Sequence, residues 1–105
     1  MKDDPVEGTL KKIEDVVSRI VHAARLGKVV DQERLEMLLV LLDDLADQLT
    51  GVEMIRKDMV GMLWYPFTAL LAEADHAQEP DALIRAAWEI KERLRRIFGP
   101  LARTL

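Results

Sequence analysis

The chain has 105 residues, half of them apolar and 32% charged, with a net charge of -4. That balance is globular rather than disordered, and a single domain over 1–105 of this size buries roughly two thirds of its unfolded surface without staples. The absence of cysteine excludes thiol catalysis, thiolate-bound zinc and iron–sulfur clusters, and the negative balance argues against general affinity for nucleic acid.

The opening MKDDPVEGTL carries acids where a signal peptide carries bases, and it has no apolar core. The expected compartment is therefore the cytoplasm. The first helix is expected over about 5–26. Asp4 caps it, Pro5 is pre-set for its first position, and Glu7 completes a capping-box pattern. Val6, Leu10, Ile13, Val17, Ile20 and Ala24 recur at alternating spacings of four and three and form one apolar stripe. Lys11, Lys12, Glu14, Asp15 and Arg19 make the solvated face, with Lys11–Asp15 and Asp15–Arg19 spaced for ion pairs. Gly27 is the expected left-handed stop.

The second helix, about 32–49, opens on Asp31 as cap, with Val30 stapled to Leu35. Its stripe is Leu35, Leu38, Leu42, Leu45 and Leu49, but from Met37 to Leu42 it is apolar all round. Thr50-Gly51-Val52-Glu53 reads as a capping box, so a third helix over about 51–77 is expected with almost no loop before it.

That third helix contains MVGMLWYPFTALLA, Met59 to Ala72: fourteen residues without charge, holding one tryptophan, the tyrosine and a phenylalanine. The run is too short to span a bilayer, and it predicts the segment around which the other helices pack. Ile55, Met59, Met62, Leu63, Leu70, Leu71 and Ala74 are expected to face inward. Pro66 removes a backbone bond and crowds the carbonyl of Met62, which predicts a kink or break there. Gly61 either weakens the same region or lets a neighbouring helix approach.

The fourth helix, about 82–98, has Asp81 as expected cap and Phe98-Gly99-Pro100 as stop. Its stripe is Leu83, Ala87, Ile90, Leu94, Ile97 and Leu101. The whole predicts an all-α, up-down-up-down four-helix bundle with helices crossing at about 20°.

Four sets of residues invite a functional reading. Glu73 and His76 form a Glu-x-x-His pair that in bundles ligates metal, but a dinuclear site needs a second such pair and further inward carboxylates. Glu33, Glu36, Asp43, Asp44 and Asp47 are acids on one helix, whereas magnesium sites in bundles draw on neighbouring helices. The last quarter is basic: Arg93, Arg95, Arg96 and Arg103, with Trp88, Ile97 and Phe98, resemble a basic amphipathic helix that meets anions. Glu89–Arg93 and Glu92–Arg96 are nonetheless spaced as ordinary helical ion pairs. Ser18 and His22 lack a third orienting group for nucleophilic catalysis, and no short polar helix suits a helix-turn-helix reader.

The remaining signal is surplus apolar surface. Two helices are apolar on more than one side, which calls for burial against something outside one bundle, most simply a second copy. Met37, Val40, Met59, Met62, Trp64, Tyr65 and Phe67 are the candidate interface residues, of types enriched at such contacts. The expectation is thus a non-enzymatic interaction, adaptor or assembly module, a homodimer without cofactor, nucleic acid or transmembrane segment. The alternatives are a peripheral membrane or nucleic-acid-associated protein using the basic fourth helix, and a metal-dependent bundle enzyme using helix-borne carboxylates.

Overall fold

The computed structural model describes residues 4–99. Four helices follow one another, α1 (Pro5–Gly27), α2 (Gln32–Gln48), α3 (Lys57–Ala74) and α4 (Asp81–Phe98), and no strand occurs among the described residues. The expected all-α class and four-helix content are what the chain adopts. Leu101 and Arg103 lie outside the described residues.

The local signals that start and stop α1 act nearly as read. Asp4 accepts the backbone N–H of Val6 at 2.9 Å, and Pro5 occupies the first turn. The left-handed residue at the end is Lys28 (φ 53°), not Gly27. Gly27 is the last helical residue, and a Cβ there would meet the Val29 side chain at 3.3 Å. The glycine therefore provides room for the turn, while Lys28 is held by Nζ bonds to the Arg25 carbonyl and to Glu73. Asp31 caps α2 by accepting from the Arg34 N–H at 3.1 Å.

The link between α2 and α3 corrects the sequence reading. No capping box forms at Thr50; instead Gly51 turns with φ 83°, Val52 N–H bonds to the Leu49 carbonyl, and α3 begins only at Lys57. The reason is tertiary. α3 packs against α1 and α4, α2 packs against α1 and α4, and α2 and α3 barely touch. The connecting segment must therefore cross the end of the bundle, which two abutting helices cannot do. Asp81 is likewise the first residue of α4 rather than its cap, a position that Pro80 takes. As a first-turn acid Asp81 still suits the helix dipole.

Each helix contributes one stripe to a common core. Leu10, Ile13, Val17, Ile20 and Ala24 of α1 are buried, as are Leu35, Leu38, Leu42, Leu45 and Leu49 from α2 and its end. Leu83, Ala87, Ile90 and Leu94 complete it from α4. α3 runs unbroken through Pro66, which is itself buried, and adds Met59, Leu63, Ala69, Leu70 and Ala74. It is not the enclosed centre that its composition predicts, because Gly61, Tyr65, Thr68 and Ala72 are exposed. A Cβ at Gly61 would meet nothing within 4 Å, so no neighbouring helix approaches there.

Three polar contacts link the helices near their ends. Gln48 Nε2 donates to Thr9 Oγ1 at 3.0 Å, tying the end of α2 to the start of α1. Arg56 pairs with Glu7 at 3.0 Å beside the starts of α3 and α1. Lys28 pairs with Glu73 at 2.6 Å beside their ends. No helix among the described residues is long and apolar enough to cross a membrane.

Candidate docking surface

α2 buries its leucine stripe and turns a second stripe outward. Glu33, Met37, Val40 and Asp44 recur at spacings of four, three and four, which places them along one helix face. Val40 is 60% and Met37 46% exposed. With Leu41, and with Val16 from α1, they form the floor of an open groove of about 710 Å³ between α1 and α2. Its rim is charged: Lys11, Lys12 and Asp15 on the α1 side, Glu33 and Glu36 on the α2 side. An apolar floor with polar edges is the form of a helix-accepting groove.

The other expected interface residues sit elsewhere. Met59 is buried in the core, where it cannot reach a partner, and Met62 packs half-buried against the core. Trp64 and Phe67 are half-buried, and their rings are engaged within the chain. Phe67 meets Trp64 edge-on at 5.8 Å and Trp88 edge-on at 5.6 Å, while Trp64 stacks on Phe98 at 6.1 Å. These contacts join α3 to α4, and Lys91 Nζ lies 4.5 Å from the centre of the Trp88 ring. Tyr65 is 41% exposed and accepts a 2.6 Å hydrogen bond from Arg25 at its hydroxyl. The seven residues thus divide into an α2 pair on the groove, Trp64 and Phe67 at the α3–α4 contact, Tyr65 and Met62 on the side of α3 next to α1, and Met59 in the core.

Arg93 and Arg96 of α4 pair across to α2 rather than along their own helix. Arg96 reaches across to Asp43 at 2.7 Å and Asp47 at 3.1 Å, and Arg93 reaches Asp43 at 3.3 Å. Arg95 pairs with Glu92 at 3.2 Å. The within-helix pairs Glu89–Arg93 and Glu92–Arg96 do not form, because a carboxylate on the neighbouring helix offers two arginines one acceptor group. Arg103 of the same expected patch is outside the described residues.

Glu73 of the Glu-x-x-His pair is held by Lys28, which lowers its carboxyl below the ordinary value of 4.5 by hydrogen bonding and charge, with Arg25 and His76 adding to the same effect. Among the described residues no three His, Cys, Asp or Glu side chains stand close enough together to hold a metal ion. Ser18 and His22 line a shallow depression with Glu14, Arg25, Met62 and Tyr65. His22, Ser18, Arg25 and Tyr65 are all exposed there, so no group is desolvated in the manner of an activated nucleophile.

Sequence reasoning missed the partners of the aromatic group and the rim of the groove. The four-three-four spacing of Glu33, Met37, Val40 and Asp44 was a readable signal for the second face of α2. Comparison of the chain with protein-family models, with curated proteins and with solved structures finds no match in any of the three.

Proposed function

We propose that this chain is a non-enzymatic helical interaction module, an adaptor or assembly unit, that works as a homodimer through the α1–α2 face. The observation that carries the reading is the exposure of Met37 and Val40 over a groove with an apolar floor. Two exposed apolar side chains at helical spacing beside a concavity lose water contact only by meeting another chain.

The reading includes the course of the helices. The Thr9–Gln48, Glu7–Arg56 and Lys28–Glu73 contacts support an up-down-up-down order with α1 and α3 running the same way. α3 bends at Pro66 without losing its helical continuity, since the proline leaves the Met62 carbonyl without its usual donor. Arg93 and Arg96 spend their charge on Asp43 and Asp47, which favours this reading over a contact of α4 with a membrane or nucleic acid. The engagement of Glu73 by Lys28 favours it over a metal-dependent enzyme.

Sedimentation equilibrium over a wide concentration range tests the proposal. The expected mass approaches twice the 12.0 kDa of one chain, and Val40→Glu returns it to a single chain. A wild-type chain that remains a monomer at high concentration overturns the homodimer.

A further inference from the structure

The two walls of the α1–α2 groove carry opposite charge. On the α1 wall Lys11 and Lys12 are exposed with no ion-pair partner among the described residues, and Asp15 is offset by Arg19 at 3.5 Å. On the α2 wall stand Glu33 and Glu36, with Asp44 one turn beyond Val40 on the same stripe. Glu33 is paired with its neighbour Arg34 at 3.1 Å, and Glu36 accepts a long 3.5 Å contact from Gln32. Taken together, α1 presents a net positive edge and α2 a net negative one, with Val16, Met37, Val40 and Leu41 between them.

We infer that the two copies of the homodimer proposed above meet groove to groove about a two-fold axis running along the groove, with the basic α1 wall of each lying on the acidic α2 wall of the other. A two-fold contact uses the same patch twice, so the patch must complement itself. A patch of one sign repels its own copy, and a patch divided lengthwise into opposite signs attracts it. Rotation about the groove axis exchanges left and right and keeps height along the groove: because the start of α1 lies beside the end of α2, Lys11 and Lys12 of each copy come over the Asp44 end of the other's α2 wall, and Met37 and Val40 of each copy enter the opposite groove. A foreign helix of uniform charge satisfies one wall and is repelled by the other, which is why the second copy is the occupant that fits.

Charge exchange tests this register separately from dimerisation. K11E/K12E makes that end of both walls acidic and D44K makes it basic, and all three positions are exposed, so circular dichroism should report an intact fold for each. Each variant alone is expected to self-associate at least about tenfold more weakly than wild type in low salt, since like charges then face each other across the interface. An equimolar mixture of the two is expected to form a heterodimer of near wild-type affinity by sedimentation or native mass spectrometry, and K11R/K12R is expected to behave as wild type. If wild type dimerises and both variants dimerise as tightly as it does, or if the mixture recovers nothing, the register is overturned while the homodimer stands. A monomeric wild type overturns both.

Discussion

Asp43 and Arg96 face each other across α2 and α4 at 2.7 Å, fifty-three positions apart in the chain, and Arg93 approaches the second oxygen of the same carboxylate at 3.3 Å. One acid thereby anchors the last two turns of α4. Asp43→Asn removes the charge and keeps the shape. Unfolding in urea should show a loss of about 1 kcal/mol, the scale of two partly exposed pairs. The loss should shrink in high salt, where such pairs are screened. A loss unchanged by salt would mean that the side chain acts by packing instead.

The glycines of α3 and of the α2–α3 link should respond oppositely to the same change. Gly61→Ala places a methyl group where nothing lies within 4 Å, in a helix interior, and should stabilise by about 0.5–1 kcal/mol by limiting the unfolded chain. Gly51 has φ 83°, and Gly51→Ala should destabilise by about 1 kcal/mol because a Cβ is disfavoured there. Thermal midpoints of the two variants, measured side by side against wild type, give the signs directly.

Glu73 gives the fold an acid-side dependence. Its carboxyl is held below the ordinary value of 4.5 by Lys28, so its contribution is present above that value and is lost as pH falls through the lowered one. The difference in thermal midpoint between wild type and Glu73→Gln should accordingly be constant at neutral pH and close as the solution is made more acidic than about pH 4.5. A difference that persists at the lowest pH would assign Glu73 a role independent of its charge.

Core and groove should separate stability from association. Leu70 is fully buried, and Leu70→Ala should cost roughly 2–5 kcal/mol through lost transfer energy and a residual cavity. Val40 is mostly exposed, and Val40→Ala should leave the unfolding free energy of the single chain unchanged to within about 0.5 kcal/mol while weakening dimerisation. Equal losses of fold stability at the two positions would place Val40 inside the core.

Local spacing along the chain accounts for the buried stripes and for most helix limits, the start of α3 excepted. Ala24, Leu42, Leu45, Ile90 and Leu94 are where the four-three spacing puts them, because helical periodicity is local and a soluble helix must bury one face. Caps at Asp4 and Asp31 and the stop at Gly99 were legible for the same reason, each acting within a turn of backbone. Only the tertiary structure decided which helices are neighbours, and much followed from that. α3 lies beside α1 and α4 rather than α2, so the residues after Gly51 became a crossing link and the uncharged run at Met59 became a flank rather than a centre. Arg93 and Arg96 found Asp43 across the helix boundary, Trp64 and Phe67 found Phe98 and Trp88, and Lys11 came to border one groove with Glu33. Composition shows that a side chain is apolar or charged, but its partner depends on how helices dozens of residues apart pack, which spacing along one helix does not encode.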